Sequence, residues 1–251
     1  MLSFAVTDLH AGKQPAGGQT GMDPGGEEGQ KGEGWMKIYV IRHGETEMNV
    51  KWLKQGWLDT PLNQAGRDLA RLTGQGLRGV RFDACFSSPL VRAKETVEIV
   101  LRESGNGDVL VRTDDRLKEI NFGKEEGTPG TSSTLPPETA QLFFTDALRF
   151  PGFPEGESVA DVCRRTGEFL HELASGEEYE TVLIGTHGCA LRAMMNPFYE
   201  NPEHFWQGRV PANCSITILD ASGGQIRLEE SDRLFYDPAL AVDHFQSLVR
   251  N

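Results

Sequence analysis

The sequence predicts an α/β fold, a three-layer α/β/α sandwich built around a mostly parallel mixed sheet. Three observations support this prediction. Short apolar runs rich in β-branched residues, which are typical of buried strands, recur along the chain. Segments with an apolar stripe at helical spacing lie between them, as a sheet with helical crossovers requires. Several of the apolar runs end abruptly at polar residues, and open α/β sheets bind their ligands at such strand ends.

Two strand and helix pairs begin the pattern. The first strand, Ile38–Ile41, leads through a loop to a helix that starts after Thr60–Asn63 and ends near Leu77. The second strand, Phe82–Ser87, leads directly into another helix. Its start is predicted at Ser88–Pro89, with a capping serine and a proline at the first helical position.

Two further strands and a hairpin complete the pattern. The strands are predicted at Val109–Val111 and Thr181–Gly185. Between them Ser158 and Asp161 resemble a capping box, which would begin a long amphipathic helix. Near the end, Ser222–Gly224 separates two alternating segments, and its glycines suit the positive φ angles of a tight hairpin. Strands and helices therefore alternate through most of the chain.

The domain organisation is one main domain, residues 36–251, behind a polar extension. Residues 1–35 repeat Gly, Gln, Glu and Pro without a hydrophobic period, so we expect them to be disordered or non-native. Residues 128–155 interrupt the alternation with Gly, Pro, Ser and Thr and include a short helix near 138–148. We interpret them as an insertion that covers the site, with an apolar cap formed by Phe143, Phe144, Phe150 and Phe153.

Composition excludes several classes of partner. The formal net charge is -12, which argues against nucleic acid or an anionic membrane surface. We see no membrane span and no signal peptide and expect a cytosolic protein. The four cysteines are scattered and we expect them to be reduced; no histidine spacing suits a metal, so we expect neither metal nor cofactor. The sequence leaves open whether the chain forms a homodimer.

Candidates for phosphoryl chemistry follow the strands. They are Arg42–Gly44, Arg92, Glu119 and His187–Gly188, and a parallel or mixed sheet would bring them to one edge. After Arg42 and His43, glycine allows the backbone to approach a ligand, so its amide and the arginine could face an anion while the imidazole attacks it. Taken singly, each residue is more often solvated or structural. Their order along the chain favours a site.

The ordered set of motifs covers residues 36–220. It consists of Arg42–Thr46 with Asn49, Gln55–Gly56 with Asp59 and Pro61–Leu62, Ser87–Ala93, Glu119 with Gly123 and Glu126–Gly127, Pro154–Ser158, Thr186–Gly188, and Asn213–Ser215. This set resembles the histidine phosphatase superfamily, branch 1, whose members have the phosphoglycerate mutase-like fold. The resemblance implies the same fold here.

The resemblance also implies roles for individual residues. His43 would be the nucleophile that becomes phosphorylated, and Glu119 would be the proton donor to the leaving group. The phosphoryl oxygens would be held by Arg42, Arg92 and His187. The further phosphate-binding or substrate-binding residues are Asn49, Gly44, Gly188 and Thr46. Gly188 would also open a helix whose N-terminal amides add partial positive charge.

The expected function is that of a metal-independent phosphomonoesterase of the histidine acid phosphatase type, acting on small phosphorylated metabolites through a phosphohistidine. Two alternatives stay open, a phosphoglycerate mutase-type phosphotransferase and a non-catalytic phospho-ligand binding module. The family's mutases carry an Arg-Arg-Ser-Tyr stretch in their insertion, whereas residues 128–155 contain Arg149 as their one cation. The chain also departs from the family pattern at Met48, Glu125 and Cys189, which leaves the natural substrate open.

Overall fold

The computed structural model describes residues 35–176 and 178–241. Their strands are β1 (Trp35–Arg42), β2 (Ala84–Ser87), β3 (Val111–Thr113), β4 (Thr181–Thr186), β5 (Ile216–Ser222) and β6 (Gln225–Arg233). Their α-helices are α1 (Glu47–Val50), α2 (Gln64–Gly76), α3 (Val91–Ser104), α4 (Pro137–Thr145), α5 (Val159–Ser175) and α6 (Gly188–Met195). Short 3-10 turns lie at Asp115–Leu117, Gly123–Glu125, Ala147–Arg149, Asn196–Phe198 and Pro238–Leu240. The predicted extension, apart from Trp35 in β1, lies outside the described residues.

The six strands form one mixed sheet in the order β3-β2-β4-β1-β5-β6. The pairs β3 with β2, β2 with β4, and β4 with β1 are parallel, whereas β5 is antiparallel to β1 and β6 is antiparallel to β5. Arg42 pairs with Thr186 and Ser87 pairs with Gly185. The residues that follow three neighbouring strands, namely Ser88, His187 and His43, therefore meet at one edge, as the prediction required.

A separate apolar core covers each face of the sheet, which confirms the predicted three-layer sandwich. On one face, α2 and α3 pack against the strands, with the buried residues Ile41, Leu69, Ala70, Leu77, Val97, Val100, Leu183 and Ile216. On the other face, α5 and α6 pack against the strands, with the buried residues Ile38, Val40, Val182, Ile184, Phe169, Leu170, Leu191 and Met194. Alternate residues of one strand serve opposite cores because successive strand side chains point to opposite faces.

Several predicted element boundaries were wrong by two or three residues, and the second strand begins at Ala84 rather than at Phe82. The third strand covers Val111–Thr113 rather than Val109–Val111, and Leu110 is 81% exposed, so its apolar character did not mark a buried position. Helix α3 begins at Val91 rather than at Pro89. The amide of Val91 donates to Asp59 Oδ1 over 2.6 Å, so a residue from a distant loop caps this helix in place of Ser88.

Three other predicted features are present in the structure. Ser158 and Asp161 form a reciprocal capping box at the start of α5. Gly223 and Gly224 join β5 to β6 with φ angles of 56° and 74°, the left-handed values that a two-residue hairpin turn demands. The short helix of the insertion is α4, which ends at Thr145.

The insertion is attached to the loop that follows α1. Lys54 exchanges backbone hydrogen bonds with Gly127 and Thr128, and the amide of Gly130 donates to the carbonyl of Trp52 over 2.7 Å. Glu125 strengthens this attachment, since its buried carboxylate accepts hydrogen bonds from Lys54 Nζ, Ser133 Oγ and the amide and hydroxyl of Thr134. Burial opposes the ionisation of Glu125, yet the bonds from Ser133, Lys54 and Thr134 bring its pKa down to about 2.

Backbone contact between α2 and the loop after β1 positions that loop. A Cβ atom on Gly66 would lie 2.2 Å from the carbonyl oxygen of Glu45, and a Cβ atom on Gly44 would lie 2.6 Å from the carbonyl oxygen of Gly66. Both positions therefore need glycine, because the two backbones touch directly.

We expect the substitution Gly66→Ala to lower the free energy of unfolding by about 1–3 kcal/mol, since the added methyl group forces α2 away from the loop. Urea unfolding measures this change. Gly167→Ala is the matched control, because a Cβ atom on Gly167 in α5 would meet no neighbouring group within 4 Å. That control should be stabilised by up to about 1 kcal/mol, and similar values for the two variants would contradict the contact.

Candidate active site

The residues predicted to carry the chemistry meet at the carboxyl edge of the sheet. Arg42, His43, Arg92 and Glu119 line a cavity of about 290 Å³. Asn49 and Gly188 also line this cavity. The ring of His187 lies behind His43, with the two ring centroids 5.2 Å apart. The sheet therefore places one imidazole and two guanidinium groups at the wall of a cavity that suits a small ligand, with a second imidazole behind the first.

His43 is held in one tautomer by its own backbone neighbour. Its Nδ1 lies 2.7 Å from the carbonyl oxygen of Gly44, which can only accept, so Nδ1 carries the hydrogen and Nε2 carries a lone pair. Asn213 Nδ2 donates to the carbonyl oxygen of His43 over 2.9 Å and fixes the backbone at this point. Burial, together with Arg92 and Arg42, holds the pKa of His43 well below its usual value. The imidazole is therefore neutral and nucleophilic at neutral pH.

Arg92 is a fully buried cation at the start of α3. Its Nη1 donates to the carbonyl of Leu58 over 2.8 Å, and its Nη2 donates to the carbonyl of Gly56 over 2.7 Å. Its Nε has no hydrogen-bond partner among the described residues. Burial lowers the pKa of Arg92 to about 10, while Glu119 and Asp59 act in the opposite direction. Arg92 thus stays charged, and backbone dipoles orient it.

Arg42 and Glu119 come close to each other across Gly188. Arg42 Nη1 donates to the carbonyl of Pro211, which anchors the guanidinium at the cavity wall. A Cβ atom on Gly188 would lie 3.6 Å from Arg42 Nε, 3.7 Å from Glu119 Oε2 and 2.8 Å from Val210 Cγ1. The absence of a side chain at Gly188 therefore leaves room for both functional groups.

Glu119 is fixed at the N-terminus of α6. Its Oε2 accepts from the amide of Cys189 over 3.2 Å, and its Oε1 accepts from the amides of Ala190 over 3.0 Å and Ile120 over 2.9 Å. The N-terminal amides of α6 were expected to add partial positive charge at a phosphate site, and two of them, those of Cys189 and Ala190, face Glu119. These donors hold its carboxyl group.

His187, which was predicted to hold the phosphoryl oxygens, is buried behind His43. It is fully buried, and it is not among the described residues that line the cavity. Its Nε2 lies 2.8 Å from Ser88 Oγ, while its Nδ1 has no hydrogen-bond partner among the described residues. Burial, Arg92 and His43 hold the pKa of His187 well below its usual value. His187 is thus a neutral ring that packs against the ring of His43.

Gly44 and Thr46, which were predicted to bind phosphate or substrate, have hydrogen-bond partners within the protein. The amide of Gly44 donates to Thr96 Oγ1 over 2.9 Å, so the protein already uses this donor. Thr46 is fully buried and caps α1 in a reciprocal capping box with Asn49. Its hydroxyl donates to Gln55 Oε1 over 2.9 Å. Neither residue is among those lining the cavity. Both shape the loop that presents His43.

Three contributors were not predicted as functional residues. Ser88, which was interpreted as a helix cap, is the partner of His187, and Asn213, noted only within a motif, holds the backbone of His43. Arg165 has a structural role. Its guanidinium donates to the carbonyl of Glu119 over 2.9 Å and also pairs with Glu157. No local pattern marks these roles, since each partner is distant in sequence.

The far wall of the cavity is apolar and aromatic. Its members include Met48, Trp52, Leu53, Phe122, Phe143, Phe144 and Trp206. Of the four phenylalanines predicted to form a cap, Phe143 and Phe144 line this cavity. Phe150 and Phe153 do not line it and pack in the core with Val159 and Val162. The insertion therefore contributes two aromatic rings to the cavity wall and two to the interior.

A metal site and a membrane span each have recognisable structural requirements. Within residues 35–176 and 178–241, no group of three or more His, Cys, Asp or Glu side chains is arranged to hold a metal ion. In the same part of the chain, no helix is both long enough and apolar enough to cross a membrane.

Comparisons with known proteins agree with this geometry. The family model of the histidine phosphatase superfamily, branch 1, matches residues 38–232. A protein of Yersinia pestis named "Probable phosphoglycerate mutase GpmB" is 31% identical over 188 residues, which cover 74% of this chain and 85% of that protein. The structure of YhfR from Bacillus stearothermophilus is similar with a TM-score of 0.72 and 32% identity, covering 83% of this chain and 98% of that one. A mycobacterial glucosyl-3-phosphoglycerate phosphatase is similar with a TM-score of 0.67 and 27% identity, covering 78% and 97%.

The chain therefore belongs to branch 1 of the histidine phosphatase superfamily. Its six-stranded mixed sheet and flanking helices match the phosphoglycerate mutase-like fold of these structures. Members of this superfamily are phosphatases or mutases.

The two buried histidines predict how stability depends on pH. Their pKa values are lowered in the folded protein, whereas histidines of the unfolded chain titrate near 6.5. The unfolded state therefore binds more protons below about pH 6.5, and the free energy of unfolding should fall by up to about 1.4 kcal/mol per pH unit for each histidine. Urea unfolding at pH 7.5, 6.5 and 5.5 measures the slope, and His43→Asn should remove about half of it. Equal stability at pH 6.5 and 5.5 would show that the histidines are not held neutral.

Proposed function

We propose that this protein is a metal-independent phosphomonoester hydrolase that forms a phosphohistidine at His43. The observation that carries the proposal is the state of His43 itself, a neutral imidazole with its Nδ1 hydrogen held by Gly44 and its Nε2 lone pair available. It lines one cavity together with Arg42, Arg92 and Glu119. This set contains a nucleophile, cations for the phosphoryl oxygens and an acid for the leaving group.

In the first proposed step, His43 Nε2 forms a bond to phosphorus while the bond from phosphorus to the ester oxygen breaks. The electron pair of that bond leaves with the alkoxide, and Glu119 donates a proton to the alkoxide, giving an alcohol. In the second step, water attacks the phosphohistidine, releasing inorganic phosphate and restoring neutral His43. Glu119 regains a proton from the attacking water.

Charge neutralisation is the main catalytic requirement of this reaction. A phosphomonoester brings about two negative charges, and the cavity offers the guanidinium groups of Arg42 and Arg92, which donate to backbone carbonyls. Because their orientation is fixed before the substrate arrives, little reorganisation accompanies the transfer. These cations supply the electrostatic role that a metal has in other phosphatases.

The apolar wall is proposed to contact the leaving group. Phe143 and Phe144 of the insertion face the same cavity as His43, so an ester's organic part would pack on them. The cavity volume of about 290 Å³ suits a small phosphorylated metabolite rather than a protein segment.

A mutase is the second candidate, because the curated relative in Yersinia pestis carries a mutase name. The insertion argues for the hydrolase. Its one arginine, Arg149, has an 82% exposed side chain paired with Asp146 and does not line the cavity. Lys54 lines the cavity, yet its ammonium group already donates to Glu125.

The covalent intermediate is tested directly. When turnover of a ³²P-labelled ester is stopped with base, the label should remain on the protein, resist base and be lost in acid, as a phosphohistidine is. Excess EDTA should not reduce the labelling, since side-chain cations do the neutralising. His43→Ala should carry no label. Labelling that persists in this variant would remove His43 as the nucleophile, and complete absence of label from the wild type would favour a non-catalytic binding module.

The role of Glu119 as an acid is tested by the dependence on leaving group. An alkyl alkoxide needs a proton, whereas nitrophenolate departs nearly unaided, so Glu119→Gln should slow single-turnover cleavage of an alkyl phosphate by roughly 10²–10⁴ and the nitrophenolate burst far less. The burst isolates the first step from water attack.

Glu126→Gln serves as the matched control for Glu119→Gln. Glu126 accepts a hydrogen bond from the amide of Trp57 and does not line the cavity, so both rates should stay near those of the wild type. Equal slowing of the two substrates by Glu119→Gln would show that Glu119 is not the acid.

A further inference from the structure

The wall of the cavity contains a charged pair that the proposed chemistry does not use. Asp232 and Arg209 line the same cavity as His43. Arg209 Nε donates to Asp232 Oδ2 over 3.3 Å, and the side chain of Arg209 is 55% exposed. Charged side chains at the wall of a mainly apolar cavity usually fix the orientation of a ligand.

The carboxylate of Asp232 is only partly satisfied. Its side chain is 5% exposed, and Oδ2 also accepts from Arg192 Nη2 over 2.7 Å. Oδ1 is buried and has no hydrogen-bond partner among the described residues. Because a buried carboxylate oxygen without a donor is costly, such an atom calls for an explanation, and a ligand donor would supply one.

Irregular strand pairing places Asp232 at this position. The register of β5 with β6 runs from Ile216 opposite Arg233 to Ile218 opposite Glu230, so β6 contains an extra residue here. Asp232 has a φ of 56°, in the left-handed region. Bulges of this kind redirect a side chain next to a functional site.

Helix α6 fixes the pair relative to the catalytic residues. Arg192, which is almost fully buried, donates to the carbonyl of Arg209 through Nε and Nη2 while it pairs with Asp232. The first amides of the same helix hold Glu119. One short helix therefore holds both Glu119 and the charged pair at the wall of the cavity.

We infer that Asp232 and Arg209 form a subsite that binds hydroxyl groups of the leaving group. A hydroxyl can donate to Asp232 Oδ1 and accept from the guanidinium of Arg209 at the same time. An ammonium group would face two arginines against one carboxylate, and a carboxylate would face Asp232. The inference rests on the proposed function, and it narrows the substrate to phosphomonoesters of polyhydroxylated alcohols such as sugars.

The test compares two phosphonates that cannot be hydrolysed. One is the analogue of glucose 6-phosphate in which a methylene replaces the ester oxygen, and the other is (2-cyclohexylethyl)phosphonate, which has the same ring size and linker without hydroxyl groups. Isothermal titration calorimetry should show that the wild type binds the hydroxylated compound at least about tenfold more tightly. Arg209→Met should reduce this ratio to below about threefold.

Two further variants serve as a control and as a second test of the subsite. Arg227→Met is the matched control, since Arg227 is exposed on β6 and does not line the cavity, and it should retain the wild-type ratio. Asp232→Asn should lower the ratio in the same way as Arg209→Met. Its thermal unfolding is measured as well, because Arg192 loses a buried partner. Arg209→Met leaves that buried pair intact, so it tests the subsite even where Asp232→Asn does not fold.

The outcomes separate the subsite from the proposed reaction. Equal affinity of the wild type for both phosphonates, no binding of either, or a full ratio in Arg209→Met would overturn the subsite, whether or not phosphate esters are hydrolysed. A ratio that Arg209→Met abolishes supports the subsite. If the wild type then hydrolysed no phosphate ester, the proposed hydrolysis would fail while the subsite stood.

Discussion

The parallel pairing of β1 with β4 is the constraint on which the rest of the site depends. Arg42 lies opposite Thr186, so the next residue on each strand is a histidine, and the two rings come within 5.2 Å of each other. A slip of one residue in this register would move every side chain of β1 to the opposite face. The two apolar cores therefore do more than stabilise the sheet. By requiring Val40 on one face and Ile41 on the other, they also determine where His43 points.

Burial of positive charge gives this edge its chemical character. Arg92 is fully buried and is held by the carbonyls of Leu58 and Gly56, so most of its solvation has been replaced by fixed dipoles. Burial, together with these cations, keeps His43 and His187 neutral. The folded protein thus carries the cost of this desolvation before any ligand binds.

Helix α6 holds both Glu119 and the pair formed by Arg209 and Asp232. Its N-terminal amides are bound by Glu119, and one turn later Arg192 binds Asp232 and the carbonyl of Arg209. The helix itself is almost completely buried between the sheet and α5. A rigid element of this kind holds side chains more precisely than a loop can.

The sequence by itself determined the strand and helix order, the mixed sheet and the group of residues at its edge. These depend on local periodicity and on the rule that strand ends carry ligand sites, which Ile38–Ile41 followed by Arg42 and His43 shows clearly. Only the tertiary structure decided the roles of Gly44, Ser88, Asp59 and Arg209. Each of these has a hydrogen-bond partner at least 23 residues away, such as Thr96 for Gly44 and Asp232 for Arg209. A hydrogen bond between distant residues leaves no periodic trace in the chain, because it depends on how the elements pack and not on the spacing within one of them.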